Sequence, residues 1–434
     1  MILFTEKASS RLRYIADFFS KEILAEDIII TGDPETFRQS ALPRINYSDY
    51  PLTEKEIWIK PAGLLAETGI CAPSISCFEW NGYKAFFKTE GDFPFDIFSS
   101  AFYLLSRYEE YLPHEKDMYG RYAHENSLAY KEEFLKFPLV NIWLQDFKKF
   151  LQSKYSSGIT HHSSFRFLPT YDIDIAYSYR GKGFFRNTAG FVKSFFRGDF
   201  AAIRERSRVL SGKEKDPYDS FDWMDELHRG NNLQPVYFFL IPEIQGTYDK
   251  NILPSEPVMK KLVTDTAEKY TTAIHPSWKS GDEECLLSEE TGRLRELTGK
   301  TVDTARFHYV RFHLPHSYRR LIHEGIKKDH SMGYGSINGF RASVASSFFW
   351  YDLEKEEQTE LEIFPFCFME ANSYYEQKYS VKETKEEIMQ YLSVVRSVNG
   401  LLITLWHNHF FGTCKEFAGL REVYADFIKE AVIT

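Results

Sequence analysis

The pattern of apolar and polar positions divides the chain into two stretches with different organisation. In the first stretch, "MILF" and "DIIIT" predict strands on either side of an amphipathic helix, "RLRYIADFFSKEIL". Asn81 and Gly82 provide the two-residue turn of a hairpin within "SISCFEWNGYKAFFK". Two further helices are predicted, one capped by Asp96 and one over "VNIWLQDFKKFLQSKY". These elements predict a small α+β domain over residues 1–160.

The second stretch, residues 165–434, alternates strands with helices. The segments "SFRFL", "PVYFFLI", "TTAI", "TVDTARF" and "LLITLW" predict strands, and amphipathic helices separate them. One of these helices is capped by Ser220 and ends near Gly230. Repeated βα units imply a mostly parallel sheet, and over this length they predict a (β/α) barrel that is closed or nearly closed. The polar stretch "SSGITHHSS", residues 156–164, is the predicted linker.

Acidic and histidine residues stand at the carboxyl ends of these predicted strands. They are Asp172, Asp174, His275, His308 and His407. Side chains alternate along a strand, so the two aspartates point to one side, where their repulsion needs water or a cation between them. The carboxyl ends of barrel strands share one face, on which active sites are built. A solvated strand end or a structural histidine explains any one of these residues, but explains their coincidence on separate strands poorly.

Carboxylate oxygens combined with imidazole nitrogens suit a divalent metal, most often Zn²⁺. A metal with three protein ligands and an open position polarises a carbonyl and lowers the pKa of bound water. A nearby carboxylate then serves as general base, and an imidazole opposite serves as general acid. This chemistry favours hydrolysis of an amide or ester.

These residues resemble motifs of the polysaccharide deacetylases of the NodB-homology type, carbohydrate esterase family four. "TYDID", residues 170–174, is similar to the family's TFDDG, which implies that Asp172 is the general base and Asp174 a metal ligand. Ile173 separates the two acids here and leaves the order of these roles open. In "AIHPSW", His275 matches the first metal histidine, but Lys279 stands where the second is expected.

The third and last motifs supply the remaining roles. "RFHY" resembles the family's RxPY, and from its type and position we expect His308 to replace the missing ligand. The resemblance implies that Arg306 orients the catalytic aspartate and that His407, at the end of "LLITLWH", is the general acid. Asp329 resembles the aspartate of the fourth motif, which pairs with an arginine or a histidine. Over residues 165–434 the resemblance implies a distorted (β/α)7 barrel that removes acetyl groups from sugars with a divalent metal.

Four further residues are expected to contact the substrate. They are Tyr309, Arg341, Trp278 and Trp406, and a structural ion pair is an equal alternative for Arg341. Aromatic residues make up 17% of the chain, and some of them fit a sugar-binding surface in addition to the core. The predicted partner is therefore an N-acetylated sugar or glycan. In the N-terminal domain, "SRYEEYLPHEKDMYGRYAHE" is either a solvated helix end and loop or an accessory surface that shapes one side of the cleft.

Composition excludes several classes of partner. A net charge of −9 argues against nucleic acid, because phosphate binding requires a basic patch. No apolar run is long enough to span a bilayer and no signal peptide is evident, so we expect a cytoplasmic protein. Five cysteines without a CxxC pair indicate neither a disulfide framework nor a cysteine-rich zinc site.

Two alternatives to a deacetylase stay open at this point. The substitution of Lys279 for the second histidine favours a non-catalytic glycan-binding protein on a degenerate deacetylase scaffold. A glycoside hydrolase would use Asp172 and Asp174 as its pair of acids, but it leaves the histidines unexplained.

Overall fold

The computed structural model describes residues 1–24, 27–155 and 164–433. Almost all of the predicted linker, residues 156–163, lies outside the described residues. Within the described part, no helix has the length and apolar character required to cross a membrane.

The first segment, residues 1–155, contains a small sheet and a separate hairpin. Its strands are β1 (Ile2–Phe4), β2 (Ile29–Thr31), β3 (Arg44–Asn46), β4 (Ile57–Trp58), β5 (Phe78–Trp80) and β6 (Tyr83–Ala85). Its α-helices are α1 (Ser10–Phe19), α2 (Pro34–Gln39), α3 (Ile97–Leu105), α4 (Leu128–Lys131) and α5 (Leu139–Lys154). Four strands pair in parallel in the order β2-β1-β3-β4, and β5 pairs with β6 in antiparallel orientation.

Local signals in this segment are confirmed. Asn81 and Gly82 both have positive φ angles, of 50° and 81°, as a two-residue hairpin turn between β5 and β6 requires. The carboxylate of Asp96 accepts a hydrogen bond from the backbone N–H of Ser99 and caps α3. The helix α1 begins at Ser10, one residue before the predicted start, and the hydroxyl of Ser9 caps it.

The second segment, residues 164–433, forms a large sheet with helices. Its strands are β7 (Arg166–Ile173), β8 (Val236–Phe239), β9 (Thr271–Ile274), β10 (Thr304–Ala305), β11 (Lys328–Asp329), β12 (Phe348–Asp352), β13 (Glu357–Ile363), β14 (Phe368–Met369) and β15 (Leu401–His407). Its α-helices are α6 (Gly183–Phe196), α7 (Phe200–Leu210), α8 (Phe221–Gly230), α9 (Pro257–Lys269), α10 (Glu284–Thr298), α11 (His316–His323), α12 (Val381–Ser397) and α13 (Leu420–Ala431).

This sheet is mostly parallel, as the βα alternation predicts. The strand order is β12-β13-β11-β10-β9-β8-β7-β15-β14, and only the pair β12–β13 is antiparallel. Among the described residues no strand pairing joins β14 to the other edge, so the sheet is open and the closure of the predicted barrel is not observed. A mixed α/β fold with a large, mainly parallel sheet is therefore what the structure shows.

Three details differ from the sequence prediction. The strand predicted over "TVDTARF" is reduced to Thr304–Ala305. Ser220 precedes α8, but its hydroxyl does not cap that helix and donates instead to the backbone oxygen of Asn408. The helices α6 and α7, which lie between β7 and α8, were not predicted, because few of their apolar positions face a core.

The two segments share one hydrophobic core. A single cluster of buried side chains includes residues from both, and α1 and α3 pack against β13 and β12. Polar contacts also connect them: the hydroxyl of Tyr14 donates to the backbone oxygen of Phe349 at 2.9 Å, and the side-chain oxygen of Asn141 accepts from the backbone N–H of Ala345 at 2.7 Å. The first segment is thus held directly against the edge of the large sheet.

Candidate metal centre

Asp172 and Asp174 lie together at the end of β7. Both line a cavity of about 540 Å³, whereas Ile173 between them is buried in the hydrophobic core on the other side of the strand. This arrangement follows from the alternation of side chains along a strand and confirms the predicted placement of the two acids.

Three histidines reach the same cavity from other strands. His275 follows β9, His308 begins a short 3-10 turn after β10, and His407 is the last residue of β15. The Nε2 atom of His275 lies 3.1 Å from Oδ1 of Asp174, and those of His308 and His407 lie 3.3 and 3.4 Å from its Oδ2. Parallel strands bring their carboxyl ends to one edge, which explains this convergence. We call these three histidines, with Asp172 and Asp174, the carboxylate–histidine centre.

Asp174, His275 and His308 could hold a metal ion. One ligand atom from each lies within 4.8 Å of the others. Oδ1 of Asp174 and Nε2 of His275 are buried and form no hydrogen bond, although they lie 3.1 Å from each other, a costly state that a cation between them would relieve. Tetrahedral ligands at the usual zinc distances lie about 3.3 Å apart, close to the observed separations between Asp174 and the two imidazoles. The residues present therefore fit a divalent cation.

Each histidine is oriented by a partner on its other ring nitrogen. Nδ1 of His275 lies 2.5 Å from the backbone oxygen of Arg306, and Nδ1 of His308 lies 2.9 Å from Oδ1 of Asp249. Nδ1 of His407 lies 2.6 Å from Oε1 of Glu370. Such contacts hold a ligand ring in place and fix which nitrogen faces the cavity. All three histidines consequently present Nε2 to Asp174.

Sequence reasoning missed Asp249 and Glu370. Glu370 directly follows β14, so its position at a strand end resembles that of the residues that were found, but β14 is only two residues long. Asp249 lies in a loop and no local pattern marks it. It also accepts the backbone N–H of Trp278 at 2.8 Å, so one carboxylate joins the loop that follows His275 to the ring of His308.

The centre has strongly shifted pKa values. Burial raises the pKa of the Asp174 carboxyl, but the imidazoles, His308 first, outweigh it and hold this pKa well below its usual value. Burial lowers the pKa of His308, yet the charges of Asp174 and Asp249 raise it to about 9. The same competition raises the pKa of His407 well above normal, with Glu370 as the main charged partner. Binding of a cation must displace the proton of His308, so metal affinity rises with pH.

Arg306 lies beside the aspartate that it was expected to orient. It is completely buried, and its Nη1 donates to Oδ1 of Asp172 at 2.8 Å. Its Nη2 donates to the hydroxyl of Thr170 and its Nε to the backbone oxygen of His330, while the guanidinium lies 4.2 Å from the ring centre of Phe238. Three hydrogen bonds and a ring contact leave this side chain a single conformation, which in turn orients Asp172.

Asp329 does not lie where a catalytic role needs it. It is buried outside the cavity and accepts hydrogen bonds from the hydroxyl of Tyr318 and from the hydroxyl and backbone N–H of Ser331. Burial raises its pKa to about 6. The expected pairing with an arginine or a histidine is absent among its described contacts, and the carboxylate that pairs with His407 is Glu370.

Of the four predicted substrate contacts, Tyr309 alone lines the cavity, and two of the other three are held elsewhere. Arg341 is buried and forms a bidentate ion pair with Glu110, at 2.8 and 2.6 Å, so the structural alternative describes it. Trp406 is fully buried and packs against Phe411 and Tyr424. The alternation that points His407 into the cavity points its neighbour Trp406 into the opposite layer.

Aromatic rings surround one side of the cavity mouth. Tyr309, Tyr248 and Tyr119 line the cavity, and Trp278 stacks on Tyr248 with ring centres 4.1 Å apart. Tyr119 belongs to the first segment, so the tyrosine-rich loop of residues 106–125 contributes to the cleft. We call these four side chains the aromatic rim.

The first part of the chain matches a family model. The family model that matches, over residues 1–156, is described as a family of unknown function, DUF7033. No curated protein matches the chain.

Three solved structures are similar over the larger part of the chain. A protein from Mycobacterium smegmatis, provisionally described as a polysaccharide deacetylase, is 12% identical, with a TM-score of 0.41, over 63% of this chain and 86% of its own. A polysaccharide deacetylase from Bacillus cereus is 11% identical, with a TM-score of 0.31, over 61% and 88%. A mutant CE4-family pseudoenzyme with restored activity is 10% identical, with a TM-score of 0.27, over 62% and 65%.

Proposed function

We propose that the protein is a metal-dependent hydrolase that removes acetyl groups from an N-acetylated saccharide. The observation that supports this most is the convergence of two aspartates and three histidines from separate strands on one cavity. The unpartnered buried atoms of Asp174 and His275 add to it, because structural polar groups are normally satisfied. The resemblance of residues 165–434 to the deacetylase motifs indicates which reaction this is, the removal of an acetyl group by hydrolysis.

In this proposal Asp174, His275 and His308 hold the ion, and their two nitrogens and one oxygen suit Zn²⁺. A bound divalent ion polarises the acetyl carbonyl and makes water a stronger nucleophile. Asp172, oriented by the hydrogen bond from Arg306, accepts the proton of the attacking water. His407 donates a proton to the departing amine, and Glu370 keeps its ring charged and oriented until then.

The aromatic rim supports a carbohydrate as substrate. Flat rings at the mouth of a cavity offer apolar faces on which the C–H face of a pyranose can pack, next to the polar centre. Tyr309 bridges the two regions, since it lines the cavity and its ring lies 4.7 Å from that of His308. A sugar held on these rings would present its acetamido group to the carboxylate–histidine centre.

We also propose that the chain consists of an accessory domain, residues 1–160, and a deacetylase-like domain, residues 165–434. The family model over residues 1–156 supports a boundary at this point. Tyr119 and Arg121 line the cavity, which supports a role for the first domain in shaping the substrate site.

The non-catalytic alternative began from Lys279 at the place of a metal histidine. His308 weakens that reason. Its Nε2 lies 3.3 Å from Oδ2 of Asp174, a separation that two ligands of one metal ion can have, and Asp249 orients its ring. A complete set of ligand, base and acid candidates is not expected in a protein that only binds glycans.

Elemental analysis and acetate release test the proposal. We expect the untagged protein to purify with about one divalent ion and to release acetate from N-acetylhexosamine oligomers, and a chelator should abolish this release. Asp172→Asn should lose about 10³-fold or more in kcat. Asp329→Asn is the matched control, since it removes a buried carboxylate of the same sheet outside the cavity. A metal-free protein without activity on any such oligomer would end the proposal in favour of glycan binding.

A further inference from the structure

The helical hairpin α6–α7 has an unusually exposed set of apolar side chains. In the described part of the chain, all five exposed phenylalanines lie within it: Phe184, Phe185, Phe195, Phe196 and Phe200, each 61–87% exposed. Not one residue of α6 is buried. Soluble domains rarely expose so many large apolar side chains together, and such patches mark interaction surfaces.

Four of these five exposed rings share one face of α6. Phe184 and Phe195 are eleven residues apart, as are Phe185 and Phe196, and eleven residues make almost three complete helical turns. Val192, seven residues after Phe185, lies on the same side and is also exposed. The result is an apolar stripe along the whole helix, which we call the phenylalanine face.

One flank of the phenylalanine face, on the side of Phe191, Asn187 and Gly190, is attached to the rest of the hairpin. The guanidinium of Arg206 lies 4.9 Å from the ring centre of Tyr179 and 5.3 Å from that of Phe191, and its Nη1 donates to the backbone oxygen of Asn187 at 2.9 Å. Gly190 allows this approach, because a Cβ there would collide with the guanidinium. This flank of α6 is therefore engaged within the hairpin, whereas Phe184, Phe185, Phe195 and Phe196 remain exposed.

Positive charge lies beside this face, although Arg180 and Arg208 are paired with Asp219 and Glu214. Residues 180–210 contain eight lysines and arginines and two acidic residues, a net charge of +6 in a chain whose total is −9, so the remainder carries −15. Lys193, Arg197 and Arg204 are exposed. Lys193 and Arg197 follow the phenylalanine face along one side of α6, since 182, 186, 193 and 197 repeat at helical spacing.

From this combination we infer that the hairpin docks on an anionic lipid surface. An amphipathic helix with aromatic residues on one face and lysine and arginine beside it lies in the plane of the membrane interface, with its apolar face in the headgroup boundary. Each basic residue near an anionic surface adds to binding. The local charge complements such a surface, whereas the acidic remainder of the chain is repelled by it and would face away.

The hairpin sits at the cavity end of the sheet. It lies in the connection that follows β7, and Asp172 and Asp174 are at the carboxyl end of this strand. Its base is clamped there, because the carboxylate of Asp216 accepts the backbone N–H groups of Ser178, Tyr179 and Arg180. Docking would hold the cavity close to the membrane surface. The inference does not depend on the proposed function.

Vesicle sedimentation with the full-length protein tests this. We expect the protein to pellet with equimolar phosphatidylglycerol–phosphatidylcholine vesicles and far less with pure phosphatidylcholine, and added salt should weaken this binding. The variant carrying Phe184→Ala, Phe185→Ala, Phe195→Ala and Phe196→Ala should lose about a hundredfold in partition coefficient, with its melting temperature unchanged because these side chains are already exposed. Lys193→Gln, Arg197→Gln and Arg204→Gln together should lose tens-fold.

Matched controls use other exposed positions. Tyr50→Ala with Met118→Ala removes equally exposed apolar side chains elsewhere, and Lys382→Gln with Lys429→Gln removes exposed charges; both should bind as the unchanged protein does. Equal binding to both kinds of vesicle, or no binding, would overturn the inference. So would a dimer in analytical ultracentrifugation that the phenylalanine variant converts to a monomer without any vesicle binding, since the face would then join two copies of the chain.

Discussion

Two buried groups of charged residues in this protein differ in how far their hydrogen bonds are satisfied. In the first, which we call the arginine–glutamate cluster (Arg107, Glu109, Glu110 and Arg341), Glu110 accepts from both arginines, and Glu109 accepts from Arg107 and from the backbone N–H of Leu128. In the carboxylate–histidine centre, Oδ1 of Asp174 and Nε2 of His275 lie 3.1 Å apart but form no hydrogen bond, and a cavity adjoins them.

The difference shows that buried charge alone does not indicate a functional site. Burial raises the pKa of Glu110, but the two arginines outweigh it and hold the pKa at about 2, so the carboxylate stays ionised and paired. It joins the first segment to Arg341 of the second. In the carboxylate–histidine centre, a bound ligand is needed before all the buried polar atoms have an interaction partner. Unpartnered atoms beside a cavity, more than burial or charge, distinguish the two regions.

The largest effect is expected at the carboxylate–histidine centre. Asp174→Asn removes the charge that faces three imidazoles, and we expect it to lose the bound ion and about 10³-fold or more of acetate release. Elemental analysis and a coupled acetate assay measure both. The variant should still fold, because Asp174 borders the cavity and is not part of the core. Wild-type metal content in this variant would contradict the assignment of Asp174 as a ligand.

A substitution in the arginine–glutamate cluster should lower the free energy of unfolding and leave the metal content unchanged. Glu110→Gln leaves two buried arginines facing a neutral amide, and we expect the free energy of unfolding to fall by about 3–5 kcal/mol. Denaturant unfolding measures this loss. The metal content of the folded protein should not change, and an unchanged stability with loss of the ion would instead place Glu110 in the functional site.

Asp329 allows a test by pH. Its pKa of about 6 in the folded protein exceeds the usual value near 4. The folded state therefore holds more protons between these two values, and the free energy of unfolding should fall by up to about 3 kcal/mol as pH rises through this window. Asp329→Asn should lack that slope. Unfolding curves of both proteins at pH 4, 5, 6 and 7 measure the difference, and identical slopes would contradict the raised pKa.

The smallest effect is expected at the aromatic rim. Tyr119→Ala removes one ring contact from the first segment, and KM for an N-acetylhexosamine oligomer should rise about fivefold, about 1 kcal/mol, with kcat nearly unchanged. Tyr50→Ala, an exposed tyrosine of the same segment, is the control. A fall in kcat without a change in KM would show that Tyr119 acts on the chemical step and not on substrate binding.

Local sequence patterns were sufficient to predict which residues stand at the ends of the strands. Strand alternation placed Asp172 and Asp174 on one side, and the ends of "TTAI" and "LLITLW" located His275 and His407. The same alternation points Trp406 to the opposite side of the strand from His407, so Trp406 does not reach the cavity. The hairpin α6–α7 escaped prediction because periodicity detects a helix by its buried face, and these helices bury almost none.

Other features depend on contacts between distant parts of the chain. Glu370 and His407 are 37 residues apart, Asp249 and His308 are 59 apart, and Glu110 and Arg341 are 231 apart. No local periodicity can report such pairs, because which carboxylate meets which base depends on strand order and loop path. The sequence determined which residue types stand at strand ends. Only the tertiary structure decided which of them line a cavity and which form buried ion pairs. The reason is that the hydrogen bonds of a buried polar group depend on all its neighbours in space.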